Sequence, residues 1–314
     1  MILSVSRRTD IPAFYSEWFY NRINEGEVYV RNPMNIHSVS KIKLSSDTIE
    51  CIVFWTKNPS QEFIDNLKIL DKKEYTYYFQ FTITSYDKTI EKNVPEKKMV
   101  MQKFRNLSEK IGKEKVIWRY DPIFINDKYS IDYHCKYFEY ISSKLSGYTD
   151  KCIISFIDKY DKIKKRLETE NITEVSLEQM EIIGKSFSEI GKKYNIKIEA
   201  CCEKIDLSSY GIIKGHCIDG ELIKHLTNKP YIFKKDTTQR NDCGCIASVD
   251  IGSYNSCNHN CLYCYANWKD DVKETDLAYN FKSPILCSEL KQDDKISDRK
   301  ITSCPLEESR LFNS

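Results

Sequence analysis

The sequence predicts an α/β fold, a parallel partial barrel of the TIM type, and three observations predict it. Short apolar runs alternate with amphipathic, helix-like stretches through the first two thirds of the chain. The runs are bounded by Asn, Pro, Gly or Asp, the residues that stop strands and start turns. Repeated strand–loop–helix units build a parallel sheet with helices outside it. Taken in order, Ile2–Ser6 reads as a strand and Tyr15–Glu25 as a helix ended near Gly26. Cys51–Thr56 is a strand stopped at Asn58-Pro59, and Gln61–Leu70 a helix with Phe63, Ile64, Leu67 and Leu70 at helical spacing. Tyr77–Thr84 is a strand, Pro95–Ile111 a helix with Pro at its start, and Lys115–Tyr120 a strand before Asp121-Pro122. Ser130–Leu145 is a helix, Cys152–Ile157 a strand, Ser176–Tyr194 a helix and Ile196–Ala200 a sixth strand. After residue 200 the alternation fades, and 243–250 offers one further strand.

In such folds the functional loops follow the C-terminal ends of the strands. Those loops carry Arg7-Arg-Thr-Asp10, Thr56-Lys57-Asn58, Thr82-Ile-Thr84-Ser85 and Arg119-Tyr-Asp121. Lys57 and Arg119, directly after apolar strands, are expected to contact a ligand; for Asp121-Pro122, turn chemistry alone is an equal alternative.

Composition excludes several classes. The 314 residues are 41% hydrophobic and 30% charged with a net charge of +2, so no global field gathers nucleic acid. The Lys-rich run at 159–165 reads as a solvated helix face. No apolar run approaches a membrane span, and the first residues have no signal-peptide layout, so a cytoplasmic protein without membrane partners is expected.

Cysteine is the unusual residue. There are 13, and eight lie between Cys201 and Cys264, seven of them in three tight groups. In a reducing compartment, grouped thiols point to metal rather than to disulfides. Cys257-Asn-His-Asn-Cys261-Leu-Tyr-Cys264 places three thiols within eight residues. One loop with this spacing can wrap a compact [4Fe–4S] cubane and leave one of its irons open. The alternative is a structural zinc site completed by a fourth thiol or by His259.

With its aromatic before the last Cys and the Tyr-Ala that follows, this motif resembles the radical SAM superfamily. The resemblance implies that the open iron binds S-adenosylmethionine, that an external one-electron reductant such as a flavodoxin or ferredoxin is needed, and that Tyr263 lies near the adenine. Superfamily members place this loop after their first strand; here it follows the others. Thr9-Asp-Ile-Pro, Trp55-Thr-Lys-Asn, Phe81-Thr-Ile-Thr and Trp118-Arg-Tyr-Asp-Pro-Ile resemble the later strands of spore-photoproduct-lyase-like members, and 246–257 resembles the missing first strand and its loop. A circularly permuted barrel is therefore expected. Across most of its length the chain also resembles the DUF1848 family. By similarity to the lyase-like enzymes, Lys57 and Thr82 would hold the S-adenosylmethionine carboxylate and ribose. The usual Gly-Gly-Glu segment is replaced by Arg8-Thr9-Asp10, so Asp10, together with Arg119, joins the expected cofactor contacts.

A second centre is expected on Cys201, Cys217, Cys243 and Cys245, as an auxiliary [4Fe–4S] cluster; a structural zinc ion or buried free thiols without metal are the alternatives. Strand alternation turns Ile198, Ala200 and Cys202 to the packed face and Cys201 to the other. Glu203, Asp219 and Arg240 are candidate residues on the substrate side. The expected organisation is a partial barrel at 1–200, a Cys-rich metal segment at 201–245, and the permuted strand, cluster loop and tail at 246–314. The substrate would be a small molecule or nucleotide. The competing reading is a zinc-stabilised nucleic-acid-binding protein without redox chemistry, its 21 tyrosines available for base stacking.

Overall fold

The architecture comes from a computed structural model, which describes residues 1–240, 242–268, 279–300 and 304–306. Its elements run β1 (Ile2–Val5), α1 (Ile11–Phe14), α2 (Ser16–Glu25), β2 (Glu27–Asn32), β3 (Asn35–Lys43), β4 (Cys51–Thr56), α3 (Gln61–Asp65), α4 (Leu67–Lys72), β5 (Tyr77–Thr82), α5 (Lys97–Ile111) and β6 (Val116–Ile123). They continue through α6 (Ile131–Leu145), β7 (Lys151–Phe156), α7 (Lys164–Thr169), α8 (Leu177–Tyr194), β8 (Lys197–Cys201), β9 (Ile213–Gly215), α9 (Gly220–Thr227), β10 (Val249–Asp250) and β11 (Lys295–Asp298). All six expected strands are present. The helix expected at 15–25 is preceded by a separate turn of helix, and the one expected at 61–70 is broken at Asn66.

Eight strands form one parallel, open sheet in the order β10-β1-β4-β5-β6-β7-β8-β9. The late strand β10 pairs parallel with β1, Leu3 opposite Val249 and Ser4 opposite Asp250. A segment late in the chain thus occupies the first position in the sheet, the arrangement a circular permutation of the barrel requires. The sheet also runs on past residue 200, through β9.

Period-two alternation divides the sheet into two faces. Leu3, Ile52, Phe54, Phe79, Trp118, Ile154, Ile198 and Ala200 face the helices and belong to the larger core. Phe138 of α6 stacks on Phe187 of α8 with ring centroids 3.7 Å apart, and Trp118 lies 4.9 Å from Phe138. Truncating Phe138 to Ala would cost about 3–5 kcal/mol. Ile2, Cys51, Val53, Tyr78, Ile117 and Ile153 face the concave side.

That concave side is filled by the chain after residue 215. Cys217, Ile218, Ile223, Cys243 and Cys245 share a core with the inward strand residues. Tyr78 Oη and Gln80 Nε2 both donate to the carbonyl of Cys217, at 2.9 and 2.7 Å. Helix α9 is capped by Asp219, whose carboxylate accepts from the backbone N–H groups of Glu221 and Leu222. This plug was not legible as an element. Neither was the small second sheet, in which β2 and β3 pair antiparallel and β11 adds parallel to β3. Among the described residues no helix is long and apolar enough to cross a membrane.

Candidate metal centres and the cavity between them

The first thiol group lies in the loop that follows β10. Asp250 fixes where that loop starts. Its Oδ1 accepts from Ser6 Oγ (2.7 Å) and Gly252 N (3.0 Å), and its Oδ2 from Ser4 Oγ and Arg7 N (both 2.8 Å). A Cβ at position 252 would fall 1.9 Å from Ser6 Oγ, so only glycine fits against β1 here. The loop then closes on itself, Asn255 N donating to Ala266 O (2.9 Å) and Asn267 Nδ2 to Cys257 O (2.8 Å). Arg166 of α7 donates to Asn267 O at 2.7 Å. The segment after β5 grips the other side, with Leu262 N bonded to Ile90 O and Asn93 N to His259 O.

Cys261 is buried, and Cys257 and Cys264 are half-buried. Burial pushes all three thiols above the ordinary cysteine range. The charges of Asp10 and the two neighbouring thiols raise Cys257 further, while Lys57 works against the rise at Cys261.

Glu91 organises this centre, and nothing in the sequence pointed to it. Its Oε1 accepts from Lys57 Nζ (2.7 Å), Thr84 Oγ1 (2.8 Å) and Tyr263 Oη, and its Oε2 pairs with Lys97. Burial opposes ionisation, but Lys57 and Lys97 outweigh it and hold the carboxylate well below its usual pKa. Glu91 returns the favour to Lys57, whose ammonium stays above its ordinary pKa although buried. The Lys57 Nζ sits 5.5 Å from the Tyr263 ring centroid.

The Asp10 carboxylate ties the loop, through His259, to α1 and to the end of β4. It caps α1 by accepting from Ala13 N (3.0 Å), accepts from Lys57 N (2.7 Å), and bonds His259 Nε2 (2.8 Å). His259 is therefore a buried strut of the loop, with Phe14 against its ring at 4.7 Å.

The second group is assembled from three segments: Cys201 at the end of β8, Cys217 after β9, and Cys243 and Cys245 beyond α9. Cys201 and Cys217 have their sulfur atoms 3.0 Å apart. Arg119 Nη1 donates to Cys217 Sγ at 2.7 Å, and Ile218 N to Cys245 Sγ at 3.4 Å. Hydrogen bonds from Cys201 and Cys217 lower the Cys245 thiol to about 6, and one from Cys245 lowers Cys243 to about 7. Cys201 is correspondingly pushed well up. Cys202 is not packed on the apolar face as strand alternation predicts. β8 ends at Cys201, and the left-handed backbone of Cys202 (φ 62°) turns its side chain toward Cys243 and the cavity.

One cavity of about 380 Å³ lies at the C-terminal ends of the strands and joins the two groups. Tyr263 and Cys264 line one wall; Cys201, Cys202, Cys217, Cys243 and Cys245 line another. Between them are Lys57, Thr82, Arg119 and Asp121. None of the 13 cysteines forms a disulfide. Four thiolates around a single zinc ion would hold their sulfurs about 3.8 Å apart, given a Zn–S bond of about 2.3 Å. Among the described residues the one set of three or more ligand atoms all within 4.8 Å is His37, Asp293 and Asp294, and Arg31 already pairs with Asp294. Neither thiol group has all its sulfurs that close together, although the Cys201–Cys217 pair of the second group is at 3.0 Å. Thiol-only donors suit either iron–sulfur or zinc ligation by their chemistry.

The family described as Domain of unknown function (DUF1848) matches residues 2–266. The chain belongs to this family. The match spans both thiol groups of the DUF1848 chain and every strand of its large sheet. No curated protein matches it. Among solved structures it is similar to a candidate alpha-L-fucosidase from Bacteroides thetaiotaomicron, at 12% identity and a TM-score of 0.25. That likeness covers 51% of the DUF1848 chain and 66% of the other, just under two thirds, and at this level it carries no argument.

The sequence-predicted residues of the DUF1848 chain fall into three sets. Lys57, Thr82, Arg119, Tyr263, Cys264 and the four thiols of the second group all line the cavity. Asp10, Cys257 and Cys261 do not line it; the two cysteines lie in the loop and Asp10 bonds its His259. Of the substrate-side candidates, Arg240 lines the cavity and pairs with Asp158. Glu203 instead accepts from Phe156 N (2.8 Å), and burial raises its carboxyl to about 7. Asp219 caps α9 and pairs with Lys151.

Proposed function

We propose that this protein is a radical SAM enzyme. Cys257, Cys261 and Cys264 would hold a [4Fe–4S] cluster, and Cys201, Cys217, Cys243 and Cys245 an auxiliary one. The observation that carries the reading is the shared cavity: Cys264 of the three-thiol loop and all four thiols of the second group line the same space at the strand ends. When bound, the first cluster supplies the electron that cleaves S-adenosylmethionine to methionine and a 5′-deoxyadenosyl radical, which abstracts a substrate hydrogen.

The chain's own residues do the positioning. Asp250 and Gly252 set the start of the loop against β1, and His259 on Asp10 sets its middle. Glu91 holds Lys57 and Tyr263 side by side. Lys57 would meet a cofactor's carboxylate, Tyr263 its adenine and Thr82 its ribose. Trp55 and Tyr265 narrow the remaining wall and limit water around a reactive intermediate. The substrate would enter from the side of Arg240 and Tyr160; a nucleotide is the class carried over from the lyase-like resemblance.

The test is anaerobic purification with iron and sulfide analysis, then reduction in the presence of S-adenosylmethionine. Brown protein with about eight irons per chain that releases 5′-deoxyadenosine is the expected result. Colourless protein with zinc and no iron rejects it. Zinc has one specific observation in its favour, at the second group alone: the Cys201–Cys217 sulfur contact of 3.0 Å. Four irons and one zinc per chain would assign that group to zinc.

A further inference from the structure

We infer that Arg7 and Arg119 are a paired counter-charge for the second thiol centre and set how tightly it holds its metal. The inference rests on the reading that Cys201, Cys217, Cys243 and Cys245 take up a metal, but not on which metal. Four thiolates around a zinc ion or an oxidised [4Fe–4S] core leave roughly two negative charges either way. A buried charge of that size needs cations in contact with it.

Two guanidinium groups are placed to supply them. Arg119, on β6, is 6% exposed and points into the concave side. Its Nε and Nη2 are held by the Asp121 carboxylate, which leaves Nη1 aimed at Cys217 Sγ, 2.7 Å away. Arg7, after β1, lies across the same indole: the Trp55 ring centroid is 5.4 Å from Arg7 Cζ and 5.3 Å from Arg119 Cζ. Arg7 lines the cavity beside Cys217 and Cys245. Its Nη2 is buried and has no hydrogen-bond partner among the described residues. Asp250, the nearest carboxylate, is already filled by Ser4, Ser6, Gly252 and the Arg7 backbone, and lies 3.8 Å from Arg8 Nε. A guanidinium donor buried without an acceptor is costly unless an acceptor arrives. A thiolate or sulfide of the second centre is an acceptor within that neighbourhood. Arg7 and Arg119 are positioning residues in this account, since neither is asked to touch the reacting atoms.

The experiment isolates the second centre by working in a C257A/C261A/C264A chain. The apoprotein is titrated with cobalt(II) against a competing chelator, and the thiolate-to-metal charge-transfer band reads the affinity. Arg7→Gln and Arg119→Gln should each weaken binding by about tenfold, whereas Arg7→Lys keeps the charge and should recover most of it. Arg105→Gln, on α5 and outside the cavity lining, should leave it unchanged. Far-UV circular dichroism checks that each variant is folded; if Arg119→Gln is not, the Arg7 pair decides. Equal affinity in Arg7→Gln, Arg7→Lys and the parent overturns the inference and leaves the second centre standing. A parent that takes up no cobalt overturns the reading of that centre, and the inference with it.

Discussion

The two thiol groups reach the same cavity by opposite routes. Cys257, Cys261 and Cys264 come from one loop, and their surroundings balance charge locally: Lys57 and Lys97 against Glu91. Cys201, Cys217, Cys243 and Cys245 come from three segments that meet only because the plug folds into the concave side of the sheet. There the balance is cationic, with Arg119 on a sulfur and Arg7 beside it. The difference teaches that a site built within one loop can be dismantled without disturbing the fold, whereas a site built across segments is part of how the fold is closed.

The sharpest way to break this comparison is the triple change C257A/C261A/C264A. It should abolish reductive formation of 5′-deoxyadenosine completely, measured by chromatography, while thermal unfolding shifts only slightly and the second centre keeps its metal. A large loss of stability would erase the distinction drawn above. Cys217→Ala should do the reverse. The second metal is lost, and limited proteolysis should cut within 216–246 at least tenfold faster, because a metal bridging separate segments adds its binding energy to their docking. Unchanged cleavage would mean that the plug stays in place without metal.

Glu91 offers a test by pH. Replacing it with Gln leaves Lys57 and Lys97 short of a counter-charge and should cost about 3–5 kcal/mol in denaturant unfolding. The sign follows from its depressed pKa in the folded chain. Its stabilisation is complete above the unfolded carboxyl pKa of about 4.3 and is lost as pH falls toward the folded value. Between about pH 5 and pH 3 the parent should therefore lose stability more steeply than Glu91→Gln; parallel curves would remove the carboxylate from the account. The smallest expected effect is His259→Gln. Losing the Asp10 contact should cost about 1 kcal/mol and quicken chelator-driven iron loss from the first centre a few-fold. No change in that rate would show the loop to be held by its backbone contacts alone.

What the sequence made legible follows the same division. The outer and inner faces of the strands were readable because alternation is a local property; Ile198 and Ala200 against Glu199 and Cys201 fell as predicted. The late strand was readable from the residues around Cys257, and its pairing with β1 agrees with them. Cys202 was misplaced because alternation was carried one residue past the end of β8, into a turn. The β2–β3 hairpin was missed because Lys, Arg and Asn interrupt its pattern, and its exposed tip gives it little apolar signal. Glu91 was invisible for a different reason. Its importance lies in four partners that the fold brings into contact with it, Thr84 and Lys97 from its own segment and Lys57 and Tyr263 from distant loops, and no residue type at one position announces that.

The place of β10 has a consequence for the living chain. Translation delivers residues 249–264 after all the other strands of the large sheet, so the nascent protein waits with the outer edge of β1 bare. A bare strand edge invites pairing with other chains. The thiols of the first loop are likewise synthesised after Asp10, Lys57 and Glu91, the residues that support the loop. If the loop takes up a metal as proposed, strand closure and readiness for its insertion would coincide.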